Sequence, residues 1–344
     1  MLIPLGILAS AGAGGGGFVA SDRYIAVAHS NSPYITAYPW SSGFGTKYSD
    51  PATLPSATGF GVAITKLGDG VVVAGEPNPT INGYPWSAAG FGTKYSNPAT
   101  LPANNALDVD FTSAGNAVVI GQNASPQVTA YPWSLSGFGT KYANPSSTGM
   151  NQANGVKFSQ AGNVVGVSGD AARLIAYAFS VSGWGSRFAD RAVNISNDGY
   201  RLDFSPNDDT LLVAHRDSPW ISAYAWSGAG FGTKYANPAS LPTLEGRGAS
   251  FNPSGSQVAI STTSSPYVHA YSWSSGFGSK FANPATLPAG VGADVNFSPT
   301  GTNIAIAHTS TPFITSYPWS SGFGTKYANP ATLPAENGRG VSFQ

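Results

Sequence analysis

One period governs this chain. The aromatic residue that closes an AYPW-type motif recurs at Trp40, Trp86, Trp133, Phe179, Trp226, Trp273 and Trp319, in steps of 46 or 47 residues. Whole phrases return with it: residues 38–55 read YPWSSGFGTKYSDPATLP and residues 317–334 read YPWSSGFGTKYANPATLP. Seven copies of such a unit restrict the chain to architectures in which each unit buries its apolar face against its neighbours. Helical repeats of this length need apolar stripes at helix spacing. The density of glycine, proline and threonine leaves no such stripe. The period therefore predicts an all-β, seven-bladed propeller of four-stranded blades.

The copy spanning 105–145 divides into four strands. LDVDF (107–111) alternates polar and apolar residues, and AVVIG (117–121) is apolar throughout, as in a strand buried on both faces. QVTAYPW (127–133) and FGTKY (138–142) follow, with the turns TSAGN, NASP and SLSG between them. In the first copy the first-strand register falls at Phe18, behind a run of glycines that makes a poor strand. GRGVSFQ (338–344) matches the first strand GRGASFN (246–252) of the sixth copy. Residues 338–344 are thus expected to complete the blade begun by residues 24–50, which closes the ring and removes open edges. The expected organisation is an arm, 1–17, and a propeller, 18–344.

Composition narrows the function classes. Only 9 % of residues are charged, and 16 basic residues balance 16 acidic ones. This gives no reason to expect nucleic acid or an anionic membrane as partner. Without cysteine there is no disulfide and no thiolate metal site. No stretch approaches the roughly 20 apolar residues of a membrane span. The opening MLIPLGILASAGAGGGG carries no Lys or Arg before Arg23, which argues against a cleaved signal peptide.

Stretches such as IAVAHSNSPYITAY make the chain, from about residue 18, resemble WD-repeat-like and YVTN-type propellers. The Trp-Asp dipeptide of true WD repeats is absent, so none of their partner-binding residues is carried over. The opening MLIPLGILA with its glycine run is similar to the N-termini of virion proteins of tailed bacteriophages. That resemblance implies a non-enzymatic structural or display protein of the particle: a tail-fibre, tail-tip or head-decoration component. Leu2, Ile3, Leu5, Ile7 and Leu8 would anchor residues 1–17 in other virion proteins. The location implied is the virion, with a secreted or periplasmic protein as the alternative.

Chemistry would require a cluster that breaks the repeat. His29, His215 and His308 share one register, eleven residues before the blade aromatic, and read as hydrogen-bonded ends of second strands. No metal ligands converge, and neither a cofactor nor a catalytic residue is indicated. Asp110, Lys157 and Asp203, from successive first strands, read as self-neutralising pairs in a central channel. Lys47, Lys94, Lys141, Arg187, Lys234, Lys280 and Lys326 read as edge guards on the fourth strands. Tyr34, Trp220, Tyr267 and Phe313 occupy one register in four consecutive blades and could form an aromatic arc on one face. Such an arc would suit sugar rings, which makes a lectin-like propeller binding a host-surface glycan the second reading. The outer phrase is more uniform than the inner strands, which suggests an outer rim that meets neighbouring molecules.

Overall fold

The computed structural model describes residues 21–344, all of whose regular structure is β-strand. The expected arm, with Leu2, Ile3, Leu5, Ile7 and Leu8, lies outside the described residues, as does Phe18. Seven antiparallel sheets follow one another in chain order, and their innermost strands touch in a closed cycle. Blade three is built from Ala106–Phe111, Ala117–Gln122, Val128–Ser134 and Gly137–Phe138. Five sheets keep four strands. In blades one and seven the outermost strand shrinks to single bridges, Trp40 with Phe44 and Trp319 with Phe323.

Ring closure runs as the sequence predicts. Gly338–Phe343 is the innermost strand of blade one and pairs antiparallel with Tyr24–His29, Val27 opposite Val341 and Ile25 opposite Phe343. Second strands such as Tyr24–His29, Gly70–Gly75 and Thr210–His215 are buried along their whole length. Each lies mid-sheet with a neighbouring blade on both faces, which explains a continuous apolar run in place of alternation.

The uniform outer phrase turns out to be the joint between blades. Trp133 sits among three rings: Phe111 of its own inner strand at 5.1 Å, Phe138 of its own outer strand at 5.0 Å, and Tyr95 of the preceding blade at 5.3 Å. All three meet it edge-on, the arrangement favoured by aromatic quadrupoles. The same Tyr or Phe reaches the next blade's aromatic all round the ring, ending with Tyr327 against Trp40 at 5.3 Å. The tyrosine of YPW donates its hydroxyl to a crossover carbonyl: Tyr84 to Thr53 at 2.9 Å, Tyr131 to Thr100 at 2.8 Å and Tyr38 to Thr332 at 2.7 Å. The glycine that opens the outer strand is also required. Gly137 has φ +87°, and a Cβ there would fall 2.6 Å from the Tyr95 ring.

The expectation of an outer rim conserved for outside contacts is therefore replaced, because the repeated residues face the next blade. The lysine reading changes as well. Each of the seven cations bonds an Asp or Asn three residues on: Lys47 with Asp50, Lys94 with Asn97 at 2.5 Å, Lys141 with Asn144, Arg187 with Asp190, Lys234 with Asn237 at 2.6 Å, Lys280 with Asn283 at 2.8 Å and Lys326 with Asn329. The basic residue braces the start of the crossover, and in blades one, two, three and seven it stands beyond the paired outer strand. Among the described residues no helix is long and apolar enough to cross a membrane.

Candidate site in the central channel

The innermost strands bring two rings of side chains to the axis. One contains Asp110, Lys157, Asp203, Ser250 and Asn296; the other contains Asp108, Arg201 and Asp294 between glycines. They line a channel cavity of about 150 Å³. An innermost strand has a sheet partner on one side only, so backbone N–H groups on its free edge need acceptors. The channel side chains supply them across the blade boundary. Asp108 accepts from Val156 N–H at 3.0 Å, Asp110 from Phe158 N–H at 2.8 Å, Asp203 from Phe251 N–H at 2.8 Å and Asp294 from Val341 N–H at 3.0 Å. Asn296 accepts from Phe343 N–H at 3.0 Å.

Two cations balance these acids in part. Lys157 Nζ lies 3.3 Å from Asp110 and 3.9 Å from Asp203. Arg201 bonds Asp108, lies 3.4 Å from Asp294 and donates to the Phe60 carbonyl at 2.8 Å. Burial raises the Asp203 and Asp294 carboxyls to about 6, against the opposing pull of Lys157 and Arg201 respectively. Asp110 is raised for the same reason, despite Lys157. Burial also works against the charged form of Lys157, yet Asp110 and Asp203 together outweigh it and hold the ammonium protonated. The self-neutralising reading of Asp110, Lys157 and Asp203 thus holds for contacts. In formal charge four carboxylates face two cations.

Above this layer, on the face where the inner strands begin, the channel opens into a mouth of about 350 Å³. Phe60, Leu107, Asn154, Tyr200, Arg247 and Arg339 ring it, with Arg201 reaching it from below. Arg247 stacks on the Tyr200 ring at 4.3 Å and bonds Glu245 at 3.0 Å, while the Tyr200 hydroxyl donates to the other Glu245 oxygen at 2.7 Å. Arg339 lies over Phe60 at 5.2 Å. Among the described residues Arg339 makes no ion pair, and its buried Nε has no partner. Guanidinium groups stacked on aromatic faces, with donors left over, are well suited to phosphate or carboxylate. Reading the sequence for single registers missed this mouth. The clue was the adjacent register 60, 107, 154, 200, 247, 293 and 339, where arginine appears twice beside an inner-strand glycine.

The structure separates the other predicted residues from the channel. His29, His215 and His308 are fully buried, and their Nε2 atoms meet Thr36, Ser222 and Thr315 at 2.9 Å. Burial lowers each to about 4. Tyr34, Trp220, Tyr267 and Phe313 stand half-buried at the start of third strands, each after a cis proline and each with positive φ, between 65° and 68°. Their carbonyls close on Gly59, Gly246, Gly292 and Gly338 of the following blade, so these turns serve as packing pieces between blades. Among the described residues no group of three or more His, Cys, Asp or Glu is placed to hold a metal.

No family model matches the chain, and no curated protein matches it in sequence. Solved structures do match in shape. A protein of Bacteroides fragilis described as a candidate 6-phosphogluconolactonase superposes with a TM-score of 0.73 at 11 % identity, over 94 % of this chain and 98 % of its own. A protein of Bacteroides uniformis with the same description gives 0.71 at 14 % identity, over 94 % and 100 %. A Lactobacillus plantarum protein gives 0.70 at 14 %. At this identity the likeness defines the class, a seven-bladed β-propeller, and leaves the reaction open.

The functional expectations are corrected here. The likeness in shape does not point to a virion display protein or a lectin-like propeller: the two Bacteroides neighbours are described as candidate lactonases. The expectation that the chain is not an enzyme falls with them. Its physical ground was the absence of an asymmetric polar cluster, and the Arg247–Glu245–Tyr200 and Arg201–Asp108–Asp294 groups form such a cluster.

Proposed function

We propose that the protein binds a small anionic lactone of the phosphorylated sugar class at the Arg247–Arg339 mouth and hydrolyses it on the carboxylates below. The observation that carries this reading is the pair of stacked arginines with unpartnered Nε donors above a buried Arg–Asp layer. The descriptions of the two Bacteroides propellers support it, since the substrate they name bears a phosphate.

Arg247 and Arg339 hold the anionic group, and Asn154 offers an amide to a hydroxyl. Asp294, raised to about 6, is ionised at neutral pH and basic enough to take a proton from water. The water oxygen bonds to the lactone carbonyl carbon, and Arg201 stabilises the resulting oxyanion. The carbon–ring oxygen bond then breaks, and the ring oxygen takes the proton back from Asp294. The product is the open hydroxy acid.

Hydrolysis of a phosphorylated and an unphosphorylated aldonolactone, followed by acid release, tests this. Arg247→Ala with Arg339→Ala should lower kcat/KM for the phosphorylated lactone by about 100-fold and leave the other nearly unchanged. Wild-type rates equal to buffer for both lactones would overturn the reading.

A further inference from the structure

The opposite end of the channel has a different chemistry. Its cavity, about 560 Å³, lies on the face where the inner strands end. This is within the range of roughly 300–1,000 Å³ typical of small-molecule sites. Blades five, six and seven contribute Pro206, Pro253 and Pro299, each the residue after Ser205, Asn252 or Ser298 in the first turn of its blade. Proline rings make a rigid apolar wall that loses little entropy on binding. Across from them blade one contributes Arg23 and blade two Lys66, while on the channel floor Lys157 of blade four is balanced by Asp203, 3.9 Å away, so the net positive charge lies with Arg23 and Lys66.

The basic side has capacity to spare. Lys66 is exposed and, among the described residues, its ammonium has neither an ion pair nor a hydrogen bond; only its backbone carbonyl is used, by Gln344. The Arg23 guanidinium is held by the Leu67 carbonyl at 3.3 Å and Gln344 Oε1 at 3.1 Å. Those bonds fix its position, and among the described residues no acid pairs with its charge. A neutral sugar would have no use for Lys66 and Arg23, and inorganic phosphate none for three prolines.

We propose that this second mouth is a separate binding site for a small organic anion, one carboxylate or phosphate on a flat apolar body. The anionic group faces Lys66 and Arg23, and the apolar body lies against Pro206, Pro253 and Pro299. The site is distinct from the lactone mouth: the two share no lining residue and meet only through the narrow channel lined by the Asp–Arg–Lys layer.

Titration of the full chain with benzoate, benzyl alcohol and inorganic phosphate, followed by calorimetry, tests the assignment. Benzoate should bind at least about tenfold more tightly than either of the others, since only it engages both walls. Lys66→Ala should weaken benzoate about tenfold, and Arg247→Ala with Arg339→Ala should leave it unchanged. Retained benzoate binding in a protein without lactone hydrolysis would sink the proposed activity and keep this site. Equal affinity for the three probes, no benzoate binding, or binding that survives Lys66→Ala and disappears in the arginine double variant would overturn it.

Discussion

Tyr48 of blade one meets Trp86 of blade two edge-on, with ring centroids 5.2 Å apart and planes at 84°. Equivalent pairs recur at every boundary of the ring, so the aromatic joint, more than the brace beside it, should carry blade cohesion. Tyr95→Ala, which removes the ring packed on Trp133, should cost about 2–3 kcal/mol. Lys94→Ala removes the bond to Asn97 on the exposed rim and should cost less than about 1 kcal/mol. Urea unfolding of the two variants checks the order; equal losses would refute it.

Acid should destabilise the protein through its histidines. His29, His215, His269 and His308 are lowered by burial to about 4, from 6.5. A depressed histidine adds stability that is complete above 6.5 and is lost as pH falls toward 4, because only the unfolded chain takes the proton. Asp203 and Asp294, raised to about 6, act in the opposite sense between about 6 and 4, as does the raised Asp110. Four depressed groups outweigh three raised ones, so the net slope is a loss of stability with acid. His215→Gln, the residue type found at Gln122 in the same register, should reduce that slope by about 1.4 kcal/mol per pH unit. Unfolding curves from pH 7 to 4.5 would show it.

Lys157 holds two carboxylates apart in charge. Lys157→Met leaves Asp110 and Asp203 buried with no counter-ion and should cost about 3 kcal/mol at pH 8. The loss should shrink on titration to pH 5, as the raised acids take protons. A loss that is the same at both pH values would show that lysine packing, and not its charge, is what matters.

If Asp294 is the base of the proposed hydrolysis, kcat/KM should rise with pH through about 6 and level off above it. Asp294→Asn should lower kcat by at least about 100-fold. Glu245 acts at one remove, holding Arg247 against Tyr200. Glu245→Gln should therefore raise KM for the phosphorylated lactone several-fold with kcat little changed. A fall in kcat with KM unchanged would assign Glu245 a different role.

The blade count, the strand order and the closing strand can all be read from spacing, because Trp40 to Trp319 recur at a nearly constant step and GRGVSFQ repeats GRGASFN. The lengths of the outer strands cannot. FGTKY reads as five strand residues, yet in blade three only Phe138 and the glycine before it pair, whereas in blade five the pairing runs on to Lys234 with the same brace in place. The candidate site is harder still. Arg247 and Tyr200 come from different blades, as do Arg339 and Phe60, so no window of sequence holds either pair. Their proximity exists only because inner strands converge on an axis. The same convergence places Lys157 between Asp110 and Asp203, which a register-by-register reading did recover because that ring alternates in sign.

The joint at blade one has one more implication. Arg23 and Tyr24 both donate backbone N–H groups to the Gln344 carbonyl, at 2.6 and 2.8 Å, so the last inner strand ends beside the first residue of the strand it accompanies. Among the described residues the ring consequently closes on itself. A short link from Gln344 to Ser21, with new termini cut in the exposed crossover near Leu241, would preserve every strand pair and every blade boundary. Such a circular permutant would make blade one covalently continuous and leave the ring closed by packing between blades five and six alone. The order in which the blades are encoded is therefore separable from the ring they make.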